Sequence, residues 1–91
     1  MTDADRQERI RRHVAALGAA ELTYVTEWLG YLPYGVYHWL EVDGRDVTDG
    51  MPDGWQLADL VHLEREGLLE RIDEARDPKD EHSLRIRFRV Q

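Results

Sequence analysis

Residues 84–90, LRIRFRV, constrain the fold more than any other stretch of the chain. Leu84, Ile86, Phe88 and Val90 alternate with Arg85, Arg87 and Arg89. A period of two puts the apolar set on one face of a β-strand and the guanidinium groups on the other. Such a strand needs a partner, and residues 68–73, LLERID, lie just upstream across the polar connector EARDPKDEHS. The two segments read as a β-hairpin with a long tip.

Before the hairpin the periodicity reads as helical. Residues 3–17 place Ile10, Val14 and Leu17 on one stripe. Thr2 and Asp5 have the spacing of a capping box, and Gly18 supplies a stop. Residues 21–31 read as a second helix, with Leu22, Val25 and Leu29 on a face widened by Trp28 and Leu32, and with Pro33 as its end. Residues 34–41, YGVYHWLE, suit either a strand, by their aromatic and β-branched content, or a short helix through Val36, Trp39 and Leu40. The reading leans towards helix. Residues 41–54, EVDGRDVTDGMPDG, form an acidic loop. Residues 54–66 are the clearest helix, opened by Asp53 with Gln56, buried through Leu57, Leu60, Val61 and Leu63, and ended by Gly67.

With 91 residues and no internal repeat, the chain is expected to be one domain. Residues 1–18 would be an added N-terminal helix and 21–90 the core. Lys and Arg number 12 against 19 Asp and Glu, a net charge of −7, and there is no Cys. Disulfide frameworks, thiolate metal sites and cysteine nucleophiles are thereby excluded. The longest uncharged stretch, Trp28 to Leu40, is too short and polar to span a bilayer. The N-terminus has no apolar run of the secretory type. A cytoplasmic protein with no membrane partner is expected. The charge is uneven: residues 41–82 carry fourteen acids against five bases, whereas 83–91 carry three arginines and no acid.

The segment LVHLEREGLLERI, Leu60 to Ile72, resembles the helix-to-wing junction of winged-helix transcription regulators. Pro33-Tyr34-Gly35 followed by Leu40-Glu41, and Met51-Pro52-Asp53-Gly54, are similar to the helix starts of the PadR-like group. The resemblance implies an α+β winged helix, three to four helices followed by a C-terminal β-hairpin wing. It also implies a small DNA-binding regulator of transcription that is not an enzyme, with double-stranded DNA as partner. Residues 41–54 are more acidic than the corresponding connection of that group.

In a winged helix the third helix enters the major groove and the wing meets the backbone. Gln56, His62 and Arg65 would then read base edges, although Asp59 and Glu66 share their outward side. Arg85, Arg87 and Arg89, with Arg76 and Lys79 near the tip, would contact phosphates. The same arginines could instead pair with Glu70, Asp73 and Glu74 on the neighbouring strand. Arg6, Arg9, Arg11 and Arg12 form a second basic surface, answered by the i, i+4 pairs Asp5–Arg9 and Glu8–Arg12.

Six of the eight aromatic residues lie between Tyr24 and Trp39. They can fill the core, anchor an interface through Trp28, Tyr31, Tyr34, Tyr37 and Trp39, or line a pocket for an aromatic effector. A homodimer through the N-terminal helix and this aromatic segment is expected. The alternative to DNA binding is a winged-helix module that binds a protein through its acidic and aromatic surfaces. Asp43, Asp46 and Asp49 lack the spacing of a calcium loop. The four histidines lack zinc spacing. No catalytic residue, metal or cofactor is expected.

Overall fold

In a computed structural model that describes residues 2–29 and 35–91, the alternation at 84–90 does what its period requires. Strand β5 spans Asp80–Val90, with Leu84, Ile86 and Phe88 buried and Arg85, Arg87 and Arg89 exposed on the opposite face. Its hairpin partner β4 spans Leu69–Asp77 and follows its helix across Gly67. The connection is tighter than expected. Asp77 pairs with Asp80, so only Pro78 and Lys79 form the turn, and the Lys79 N–H donates to Asp77 Oδ1 at 2.8 Å. Most of the polar connector is strand, because an exposed edge strand tolerates charged side chains on both faces.

Helices were expected over residues 21–31 and 34–41, and the described part of each is a strand, residues 30–34 lying outside the described residues. Strand β1 is Glu21–Leu29 and β2 is Gly35–Val42, paired antiparallel from Thr23↔Glu41 to Leu29↔Gly35. The helical spacing of Leu22, Val25 and Leu29 misled because β1 is the central strand. Leu22 and Tyr24 are buried on one face and Val25, 1% exposed, on the other. A buried apolar residue on the face away from the helices breaks the period of two. Its run of Thr, Tyr, Val, Thr and Trp is strand-forming.

The acidic loop also contains order. Asp43 and Gly44, with φ of 52° and 79°, form a two-residue turn into β3, Arg45–Asp46. Positive φ at both positions is the hairpin geometry that an Asp-Gly pair supplies. The five strands form one antiparallel sheet in the order β3-β2-β1-β5-β4.

Helix α1 covers Asp3–Leu17, with the expected Thr2–Asp5 capping box and an end at Gly18. Helix α2 covers Leu57–Arg65, three residues shorter at its start than expected. The Asp53–Gln56 cap is replaced by Asp59, whose Oδ2 accepts from the Gln56 N–H at 2.8 Å. Both helices lie on the Leu22–Leu40–Phe88 face of the sheet. Ile10 and Val14 of α1 and Leu60 and Leu63 of α2 join the same core cluster. The winged-helix architecture is therefore overturned. The described residues hold two helices against a five-stranded antiparallel sheet, where three to four helices and a terminal two-stranded wing were expected.

Candidate functional site

The alternation that formed β5 puts the arginine row on the sheet face away from the helices. There it is answered by carboxylates. Arg89 donates to Glu70 at 2.8 Å, Arg87 to Asp73 at 2.6 Å, and Arg85 reaches across β1 to Glu41 at 3.1 Å. Arg87 also lies 3.7 Å from Glu21. Glu41 is shared, since its other oxygen accepts from the Trp39 indole N–H at 2.7 Å. Cross-strand pairing explains the pattern, because Glu70 sits opposite Arg89 and Asp73 opposite Arg87 in the register. Glu74, expected in the same ladder, holds Arg71 and Arg76 instead. These pairs are half exposed, so Arg85→Ala with Arg87→Ala should cost under about 1 kcal/mol of stability in a denaturant titration.

The residues expected to read bases do not join this row. His62 and Arg65 are exposed on α2, and Gln56 is its N-cap, all on the helix-bearing face. His62 Nε2 lies 3.4 Å from Glu66, which also binds Arg11 at 2.8 Å. Asp59, read as outward, is 4% exposed. Its Oδ1 accepts from Gln7 at 2.6 Å and from Arg6 at 3.2 Å, fastening α1 to α2. Arg76 and Lys79 are exposed at the β4–β5 end. The thickness of the sheet thus separates the helix residues from Arg85, Arg87 and Arg89. On α1, Glu8 holds Arg12 at 3.0 Å, while Asp5 serves the helix cap.

The expected aromatic interface also divides. Tyr37 and Trp39 are half-buried on the open face with the arginines. Trp28 lies on the helix face and is 47% exposed. Tyr31 and Tyr34 lie outside the described residues.

The helix face carries a cluster that sequence reasoning did not assemble. The His38 ring stacks on Trp55 at 4.2 Å and 12°, and Tyr24 meets both edge-on at 5.7 and 5.9 Å. The Tyr24 hydroxyl and His38 Nδ1 share a 3.0 Å hydrogen bond. A cleft of about 360 Å³ opens beside Tyr24 and His38, lined also by Thr26, Gln56, Leu57 and Ala58. Beyond Thr26, whose hydroxyl donates to the His82 carbonyl at 2.7 Å, Trp28 packs on the His82 ring at 5.5 Å. Tyr24 and His38 sit far apart in sequence. Only the register, which pairs Tyr24 with Leu40 and Thr26 with His38, brings them together.

Burial pushes the Tyr24 hydroxyl up and holds His38 below the ordinary imidazole value, which is about 6.5. His38 is therefore neutral at neutral pH. The unfolded chain then takes up a proton more readily than the folded one as pH falls below about 6.5. This contribution to stability is complete above that pH and is lost as pH drops through the lower folded-state value. Unfolding free energies followed from about pH 7 to pH 5 should decline in the native chain, and His38→Asn should flatten the decline.

Chemically the cluster offers flat rings with hydroxyl and amide groups beside them. Both of its hydroxyls are engaged, Thr26 with the His82 carbonyl and Tyr24 with His38 Nδ1. Among the described residues no group of three His, Asp or Glu side chains is placed to hold a metal ion. None of the described helices is long and apolar enough to cross a membrane. No family model, curated protein or solved structure matches the chain.

Proposed function

We propose that the chain is a non-enzymatic module that binds a protein partner through the aromatic end of its helix-bearing face. The observation that carries this reading is Trp28, the one large hydrophobic side chain left exposed among the described residues. It sits on His82, two residues along β1 from Thr26, which lines the cleft beside Tyr24 and His38. Large aromatic rings set beside a shallow cleft with few charges are the usual anchors of a protein interface. Water strips little from such a surface that a partner cannot replace, whereas the open face has its charges already answered.

The DNA reading has less support. Arg85, Arg87 and Arg89 would have to leave Glu41, Asp73 and Glu70 to meet phosphate. Each released carboxylate would then face a polyanion, within a chain of net charge −7.

The test compares the immobilised chain with its Trp28→Ala variant in a lysate of the source cells. The variant should lose the retained partner while its unfolding free energy stays within about 0.5 kcal/mol. A photocrosslinker replacing His82 should join that partner, and one replacing Arg65 should not. In parallel, the chain is titrated into a labelled mixed-sequence duplex at low salt. Duplex binding whose salt dependence falls on Arg85→Ala with Arg87→Ala would replace the protein reading with the DNA one.

A further inference from the structure

Trp28, Thr26 and Tyr24 follow one another along β1 on the helix-bearing face, with His38 beside Thr26 on β2. At about 3.3 Å per residue, Thr26 lies about 7 Å from Trp28 along the strand, and Tyr24 about 13 Å. The cleft that Thr26, Tyr24 and His38 line therefore begins close to the exposed Trp28 ring. The surface is uncharged and rich in hydrogen-bond donors. No residue lining the cleft carries a charge other than a protonated His38. Gln56, Leu57 and Ala58 bring the first turn of α2 to its wall, and the N–H groups of Leu57 and Ala58 find no acceptor among the described residues. The Trp28 indole N–H finds none either. The Tyr24 phenol, the more acidic group of its pair, donates to His38 Nδ1 and leaves the imidazole proton on Nε2.

These features exclude three of the common ways in which a protein holds a peptide. An added strand needs a sheet edge, and β1 is flanked by β2 and β5. A helix spends its carbonyls on its own N–H groups and leaves nothing for the donors of the cleft. An acidic or phosphorylated motif needs a cluster of cations, and no Lys or Arg lines the cleft. A polyproline II segment satisfies what remains. Its carbonyls are all unpaired, and proline brings no N–H to compete for acceptors. Its rings dock on aromatic faces, which Trp28 and His38 supply.

We propose that the segment bound here, on the protein-partner reading above, is proline-rich and extended, with one proline on Trp28 and a second, three residues along, in the cleft beside His38. Polyproline II advances about 3.1 Å per residue, so two such prolines lie about 9 Å apart. That separation falls between the distances from Trp28 to Thr26 and to Tyr24. The carbonyls between the prolines take the free donors of Trp28, His38 and the first turn of α2. The segment is already extended before it binds, so little freedom is lost on a surface that offers no charge to hold it.

The probe is a decaproline with blocked ends, titrated into the isotope-labelled chain and followed by NMR. The Trp28 indole signal and the amide signals of Leu57 and Ala58 should shift together and saturate, with a Kd of about 1 mM or below. A Gly-Ser decapeptide with the same ends should bind at least about tenfold more weakly, because it loses freedom that proline has already given up. Trp28→Ala should abolish the saturable shift. His38→Phe keeps a ring on Trp55 but has no N–H, and it should weaken binding about fivefold. No saturable shift with decaproline, shifts centred on Arg85, Arg87 and Arg89, or equal binding of the two peptides would overturn the proposal. If a variant does not fold, the shifts of the native chain with the two peptides decide. A lysate partner lost on Trp28→Ala, beside a decaproline that does not bind, removes this proposal and leaves the protein-partner reading standing, so the two fail separately.

Discussion

Phe88→Ala is expected to lower the unfolding free energy by about 3–5 kcal/mol. That is a large part of the about 5–15 kcal/mol that holds a domain together. Phe88 is fully buried on β5, opposite Leu22 of β1 on one side and Arg71 of β4 on the other. The Arg71 guanidinium carbon lies 5.6 Å from the ring centre, and the same guanidinium reaches Glu64 of α2 at 3.2 Å. The ring therefore supports the contact between helix and sheet as well as filling the core. Alanine leaves a cavity under that contact and removes the cation's aromatic partner. Phe88→Leu keeps most of the volume and should cost about 1 kcal/mol. Urea titration of the three proteins checks the order, and a loss below about 1.5 kcal/mol for Phe88→Ala would contradict the described burial.

Asp59→Ala should be next, at about 2–4 kcal/mol. Its carboxylate receives Arg6, the Gln7 amide and the Gln56 N–H that starts α2. Truncation strands all three donors at a buried junction. Arg6 keeps Asp3 at 3.0 Å and some access to water, which holds the loss below that of a wholly enclosed pair. Asp59→Asn keeps an acceptor but not the charge, so it should fall between the native chain and Asp59→Ala. For a domain of this size each kcal/mol moves the melting temperature by about 4–8 °C. Asp59→Ala should thus melt some 10–25 °C lower, and Arg6→Ala should melt closer to the native chain than to Asp59→Ala.

Local signals were legible where one cause acted alone. The Thr2–Asp5 box, the stripe of Ile10 and Val14 and the alternation through Phe88 each gave the right element. The β1 and β2 segments did not, because burial of Val25 on the far face of a central strand erased the alternation that would have marked it. With those strands read as helices, the hairpin became a wing, and a sheet running through the whole chain went unseen. The site suffered from the same error. The pairing of Arg87 with Asp73 and Arg89 with Glu70 was foreseen as an alternative, since neighbouring strands were already in view. Arg85–Glu41 was not, because it spans a strand that had been read as helix. Asp59 was placed on an outward face because helical spacing alone does not show which neighbour, α1 or solvent, lies against it. Tyr24, His38 and Trp55 belong to three separate segments, and no local pattern joins them before the register is known.

The pairing of β1 with β5 has a consequence in time. Glu21 lies beside Arg89 and Leu22 beside Phe88, so the central strand waits for almost the last residues of the sheet. Until β5 is made, β1 can pair with β2 and pack against α1, but its other side is empty and Leu22 lacks Phe88 beside it. Contacts between such distant positions close slowly, at an entropic cost met before any burial rewards it. A nascent chain of this topology keeps one side of β1 exposed until β5 is available to pair with it. Ribosome-stalled chains ending at Ser83 should accordingly be cut by protease throughout, and protection should arise only when the residues beyond Phe88 have cleared the exit tunnel.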